Sequence, residues 1–237
     1  MKKTALGIIA IAALIGTPAL AADLALKAPP PPPAPAWSWT GFYVGVDAGY
    51  TGNNVGIFDP ATPGAGTATL YSSSATFGGH LGYLYQFNNP LVLGVEGDAS
   101  WLNGSGNGPF PGVTSQGILA TSHWDASARG IAGFAVDPRA LVYGTGGWSW
   151  LNGSMCGVAS FQTSLTCAPG SNGPGTRGGW IVGAGVAYAF TDNLIFRIEY
   201  LHADYGPFSY TGTAWAGGTV NVTDTTDTVR VGLSWKF

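Results

Sequence analysis

The chain has 237 residues with nine Lys and Arg, twelve Asp and Glu and a net charge of −3, so it carries no basic footprint for nucleic acid. Only 9% of residues are charged while 13% are aromatic and 38 are Gly, against about 25% charged in a typical soluble domain. Past the opening residues no apolar run reaches the roughly 18 residues a spanning helix needs, which leaves the β-barrel as the way for such a composition to meet lipid.

The first element is an export signal. "MKK" is a basic lead, "ALGIIAIAALIG" an apolar core and "TPALA" a small-residue cleavage pattern, so residues 1–21 are expected to be removed after Ala21. Without Lys2 and Lys3, seven basic and twelve acidic residues remain, a net of −5. Residues 22–38 read as a linker. Its "KAPPPPPAPA" (27–36) holds six prolines in seven positions, a polyproline II rod rising about 3.1 Å per residue. It would be a passive periplasmic spacer or a stalk that touches the cell wall. The folded domain is expected over 39–237.

From there short turn-forming segments alternate with long polar ones. "NNP" (88–90), "DPR" (137–139) and "TDN" (191–193) are tight turns. The stretches 51–73, 102–121, 152–175 and 206–224 are rich in Gly, Ser, Thr, Asn and Pro and read as long loops. Between them lie eight alternating segments, about 40–50, 74–87, 91–101, 122–136, 140–151, 176–190, 194–205 and 225–237. Short turns at one end, long loops at the other and an even strand count predict an all-β fold: an eight-stranded antiparallel transmembrane barrel with short periplasmic turns and four long extracellular loops.

Alternation assigns the faces. In the third segment Leu91, Leu93, Val95 and Trp101 oppose Glu96, Asp98 and Ser100; in the seventh, Phe196, Ile198 and Tyr200 oppose Arg197 and Glu199. The last segment sets Val229, Val231, Leu233, Trp235 and Phe237 against Arg230, Ser234 and Lys236. "SWLNGS" at 100–105 recurs at 149–154, so Trp150 should face the same way as Trp101. Trp101, Trp124, Trp150 and Trp180 then form one lipid-interface girdle, and Phe134, Phe190 and Trp235 belong to the other. The inward parity collects Asp47, Glu96, Asp98, Asp125 and Glu199 with Arg129, Arg197, Arg230 and Lys236, an interior charge network. Setting Trp101 opposite Trp124 fixes antiparallel pairs to a residue sum of 225. That puts Glu96 opposite Arg129, with Arg230 near Asp47.

Cys156 and Cys167 are the only cysteines, share one loop and would sit in an oxidising compartment, which predicts a disulfide. No catalytic, cofactor or metal site is expected. In "TSHWD" the alternation turns His123 and Asp125 inward and Ser122 outward, which separates the nucleophile from its base. "GSGNG" (104–108) and "GTGG" (144–147) precede no helix and are not phosphate loops. Across the four loop stretches only Asp59 and Asp224 are charged, too few for a metal or nucleic-acid patch.

"ADLALKAPPPPPAPAWSWTGFYVGVDAGY", "YGTGGWSW" (143–150) and "VRVGLSWKF" resemble the small alphaproteobacterial outer-membrane porin-like proteins, also called outer-membrane immunogenic proteins. The match includes Trp39 to Gly45 and the pair Gly49, Tyr50, and it spans the mature chain. The resemblance implies an eight-stranded barrel similar to the membrane domain of outer-membrane protein A, in the outer membrane of a Gram-negative bacterium. It implies that Phe237 is part of the signal read by the barrel assembly machinery. It implies no reaction; some members are reported to bind haem, and others are surface antigens. The expected function is therefore a non-enzymatic structural barrel and surface antigen with a largely plugged polar interior. Its partners would be outer-membrane lipid and lipopolysaccharide. A small-solute porin and a surface receptor or adhesin, haem binding included, are the alternatives.

Overall fold

The computed structural model describes residues 37–160, 164–173, 175–211 and 218–237. The expected signal at 1–21, and the linker up to 36, lie outside the described residues. The folded unit begins at Trp37, two residues before the expected boundary.

Among the described residues nine strands run in chain order: β1 Gly41–Phe58, β2 Thr67–Gln86, β3 Leu91–Phe110, β4 Val113–Asp137, β5 Ala140–Ser160, β6 Ser164–Asn172, β7 Thr176–Ala189, β8 Leu194–Thr211 and β9 Thr219–Lys236. Eight of them close an antiparallel ring, β1-β2-β3-β4-β5-β7-β8-β9, with β9 paired back on β1. The ninth, β6, pairs with β5 alone among the described residues. The alternation that makes these segments strands is the alternation that makes a barrel wall. Large apolar side chains such as Phe42, Leu81, Val95, Trp148 and Leu233 point outward and are exposed, while Asp47, Glu96, Arg129, Glu199 and Arg230 point inward and are buried.

The four stretches expected to be loops are largely strand. β1 runs on to Phe58 and β2 starts at Thr67. The supposed loop 102–121 is a hairpin turning at Pro111–Gly112, where Gly112 takes φ 74°, the left-handed position a Pro-Gly turn needs. The reason is inside the barrel. Val55, Ile57, Leu70, Phe110, Ile118, Met155, Tyr210, Val220 and Val222 form a buried apolar cluster. Their outward neighbours are mostly small or polar, Tyr71 and Leu119 excepted, which disguises a period-2 pattern as a loop. The barrel wall therefore continues well past the Trp101 and Trp124 level.

A register shift on β4 between Ser122 and Trp124 leaves His123 as the extra residue. A bulge of one residue reverses parity beyond it. His123 is exposed and Ser122 lines a small interior space with Thr51, Leu102 and Leu151. The expected orientations of His123 and Ser122 are thus exchanged.

Candidate functional site

The lumen is layered. At the short-turn end Trp39, Tyr43, Leu84, Val92, Ile131, Leu141, Tyr143 and Ile195 form a buried apolar plug. Trp39 is held there by its backbone N–H, which donates to Gln86 Oε1 at 2.9 Å. Trp37 covers the mouth, its indole donating to the Asp192 carbonyl at 3.0 Å. Above the plug lies the charged layer, and above that a second apolar layer of Leu102, Leu151, Ile181, Leu201, Ala203 and Tyr205.

The charged layer is one connected cluster. Antiparallel pairing sets Glu96 opposite Arg129 and Trp101 opposite Trp124. Arg129 Nη2 donates to Glu96 Oε1 at 2.5 Å, its Nη1 to Glu199 Oε1 at 3.0 Å and its Nε to Ser127 Oγ at 2.9 Å. Arg197 donates to Glu96 and, at 3.1 Å, to Asp47 Oδ1. Arg230 reaches Glu199 at 2.8 Å, Asp98 at 2.5 Å and, at 3.9 Å, Asp47. Tyr43 Oη donates to Glu96 Oε2 at 2.7 Å. The Arg129, Glu96 and Glu199 side chains are 0% exposed. Buried charge is tolerated when each ion is paired and hydrogen-bonded, and three guanidiniums here thread four carboxylates.

Two residues of the expected network lie apart from it. Lys236 turns inward but at the short-turn end, where its Nζ donates to the Ser38 carbonyl and sits 4.7 Å from the Trp37 ring centre. The last turn of β9 lies too low to reach the carboxylates. Asp125 points inward above Asp98, makes no ion pair among the described residues, and has a buried Oδ1 without a hydrogen-bond partner there.

The structure also adds residues that spacing did not reveal. His80 Nδ1 lies 2.7 Å from Asp47 Oδ2 and its Nε2 lies 2.6 Å from Ser234 Oγ, so it ties β1, β2 and β9 together. The imidazole passes over β1 at Gly45, where a Cβ would collide with both the ring and the Leu233 carbonyl. Nearer the long end Arg177 is buried against Asp224 and stacks 4.9 Å from the Phe208 ring centre. The inward parity of the charges was the only signal for such contacts; their partners come from different strands.

Outside, Trp101, Trp124, Trp150 and Trp180 are exposed at one level of the wall, with Phe134, Phe190 and Trp235 exposed near the other edge. Phe237 is 73% exposed, and its backbone N–H donates to the Phe42 carbonyl at 2.9 Å. Cys156 and Cys167 form a disulfide across the β5–β6 hairpin, with Cα atoms 5.4 Å apart. Among the described residues no group of three or more His, Cys, Asp or Glu is placed to hold a metal ion.

The family model for the outer membrane protein beta-barrel domain matches residues 9–237. The 31 kDa outer-membrane immunogenic protein of Brucella melitensis is 31% identical over 240 residues, covering 96% of this chain and 97% of that protein. The 25 kDa outer-membrane immunogenic protein of Brucella abortus is 32% identical over 222 residues, covering 92% of this chain and 91% of its own. Among solved structures, the outer membrane protein OprG from Pseudomonas aeruginosa superposes with a TM-score of 0.55 at 15% identity, over 86% of this chain and 99% of that one, a likeness of fold.

Proposed function

Because the chain belongs to the outer membrane protein beta-barrel family, and so sits in the outer membrane of a Gram-negative bacterium, we propose that it is a non-enzymatic structural barrel and surface antigen with a closed lumen and its long hairpins outward. The observation that carries this reading is the buried ion cluster between two apolar layers. Eight strands enclose about enough room for side chains, and here the side chains occupy it: Glu96, Arg129 and Glu199 interlock at mid-barrel above the Trp39 plug. The charges serve as packing and cross-bracing, and the immunogenic relatives support a role as surface antigen.

The deciding measurement is single-channel conductance of the refolded chain in a planar bilayer. A closed lumen gives no steady conductance above the bare bilayer; steady openings would favour a small-solute porin. Soret difference spectra against added haem separately test the receptor alternative, and no saturable shift is expected. Phe237 directly follows β9 as an exposed aromatic tied to Phe42 at the closing strand pair, which suits a residue read by the assembly machinery during insertion. Deleting it is expected to leave folding into detergent intact while lowering the amount of barrel in the outer membrane.

A further inference from the structure

The nine Lys and Arg of this chain can each be traced. Lys2, Lys3 and Lys27 precede the described residues. Arg129, Arg197 and Arg230 are locked in the lumen. Arg177 is buried on Asp224. Lys236 lies under Trp37, and Arg139 pairs with Asp192 at the short-turn end. Among the described residues no Lys or Arg lies on the outer face of the long end. The charged groups on that face are acids: Asp227, which accepts from Tyr200 Oη at 2.5 Å and lies 2.8 Å from His202 Nδ1, and the half-buried Asp204.

That face is nonetheless a built wall. Beyond the girdle level β3 continues from Trp101 to Phe110, and β9 covers Thr219 to Val229, which pairs with the outward-facing Tyr50. At about 3.3 Å per residue and a tilt of roughly 40°, the wall stands on the order of 20 Å beyond the girdle. The apolar cluster around Ile57, Leu70 and Val222 fills it from within. Much of its outer surface is hydroxyl and amide, with Tyr71 and Pro109 also exposed. Asn103, Ser105 and Asn107 on β3 and Thr219, Asn221 and Thr223 on β9 are exposed. Cross-strand pairs hold some of these groups in place: Ser209 Oγ donates to Asn221 Oδ1 at 3.2 Å, and the Thr211 and Thr219 hydroxyls are 2.9 Å apart.

We propose that this uncharged wall is a docking surface for the neutral sugars of the outer-leaflet glycolipid, which it binds through hydroxyl and amide hydrogen bonds without contacts to the lipid phosphates. Phosphate recognition draws on Arg and Lys, and among the described residues this face has neither; its exposed Asp227 repels anions. Sugar hydroxyls both donate and accept, as do Ser, Thr and Asn. The wall height places these groups beside the saccharide layer and above the level of the girdle. The inference rests on the reading of the long hairpins as outward-facing.

The test uses the full chain refolded into phosphatidylcholine vesicles. The vesicles are left plain, or doped with a phosphate-free glycolipid bearing a neutral oligosaccharide, or doped with a bis-phosphorylated lipid A disaccharide lacking further sugars. Each is measured with Mg²⁺ and with EDTA. The readout is the midpoint temperature for loss of the heat-resistant folded band. The neutral glycolipid should raise the midpoint by several degrees, equally with EDTA, and the phosphorylated lipid should not. Thr219→Val, Asn221→Val and Thr223→Val together should match the parent chain in plain vesicles and lose the increment with glycolipid. No increment with the neutral glycolipid, an increment with lipid A that EDTA removes, or an increment the triple variant keeps, would each overturn the proposal. A peptide tag inserted after the exposed Gly64 checks the underlying orientation on intact cells. A tag that an impermeant antibody cannot reach defeats the outward reading itself; an accessible tag without a sugar effect defeats the docking proposal alone.

Discussion

Replacing Arg129 by Met removes one of the three guanidiniums of the charged layer while keeping most of the side-chain volume. Arg129 supplies the 2.5 Å contact to Glu96 and the 3.0 Å contact to Glu199. Breaking one side of a buried pair costs about 3–5 kcal/mol, because the surviving ion stays buried. Arg197 still holds Glu96, and Arg230 still holds Glu199 at 2.8 Å, which puts the expected loss near the lower end, about 3 kcal/mol. Glu96→Gln alone should cost a similar amount, since Arg129, Arg197 and Tyr43 all lean on that carboxylate. The double change removes one charge of each sign. A coupling of about 1–3 kcal/mol is therefore expected between the two sites. Urea unfolding of vesicle-inserted protein, followed by tryptophan emission and by gel mobility of the folded band, gives all three values. Additivity to within about 0.5 kcal/mol would refute the claim that the two residues share one buried network.

On the outer face, Leu233→Arg should cost roughly 2–4 kcal/mol if that face meets lipid near the midplane, whereas Leu233→Ile should be close to neutral; equal effects in the same urea titration would reject the assignment. The Cys156–Cys167 bridge closes a short loop, worth on the order of 3 kcal/mol in the chain-entropy model. Thiol titration of exported, denatured, unreduced protein should find no free thiol, and reduction should make the β5–β6 hairpin protease-sensitive before the rest of the barrel. Gly45→Ala should cost about 1–3 kcal/mol by overpacking, since the added methyl meets His80 and the Leu233 carbonyl. A companion His80→Ala should relieve part of that cost, measurable as a higher refolding yield for the double variant than for Gly45→Ala alone.

The membrane-level strands were legible because their charges keep to one parity: Glu96 with Asp98, and Arg197 with Glu199, each two residues apart. A single aromatic pair was enough to set the β3–β4 register at that level. The continuation of the strands was not legible because Gly, Ser, Thr and Asn occupy most outward positions of the upper wall. What remained was half a pattern, Val55 with Ile57 and Val220 with Val222, which reads as strand once the interior is seen to be apolar. The bulge at His123 inserts one residue without a Gly or Pro to announce it, so counting from Trp124 toward Ser122 goes out of phase. Parity also cannot report depth. It grouped Lys236 with Arg230, though six residues of strand carry the lysine away to the Ser38 carbonyl. The His80 bridge joins residues 33 and 154 positions away and is a property of three strands at once.

The closing seam of the ring joins the first strand to the last, with Val44 beside Trp235 and Tyr50 beside Val229. Until β9 docks on it, β1 has a partner on one side only and offers an open edge, the kind of surface that invites aggregation. Contacts this distant in sequence also form slowly, because the loop-closure entropy precedes the gain. Ring closure thus depends on the strand farthest in sequence from β1: without β9 the cylinder has nothing to shut with, and β1 and β8 are both left as open edges.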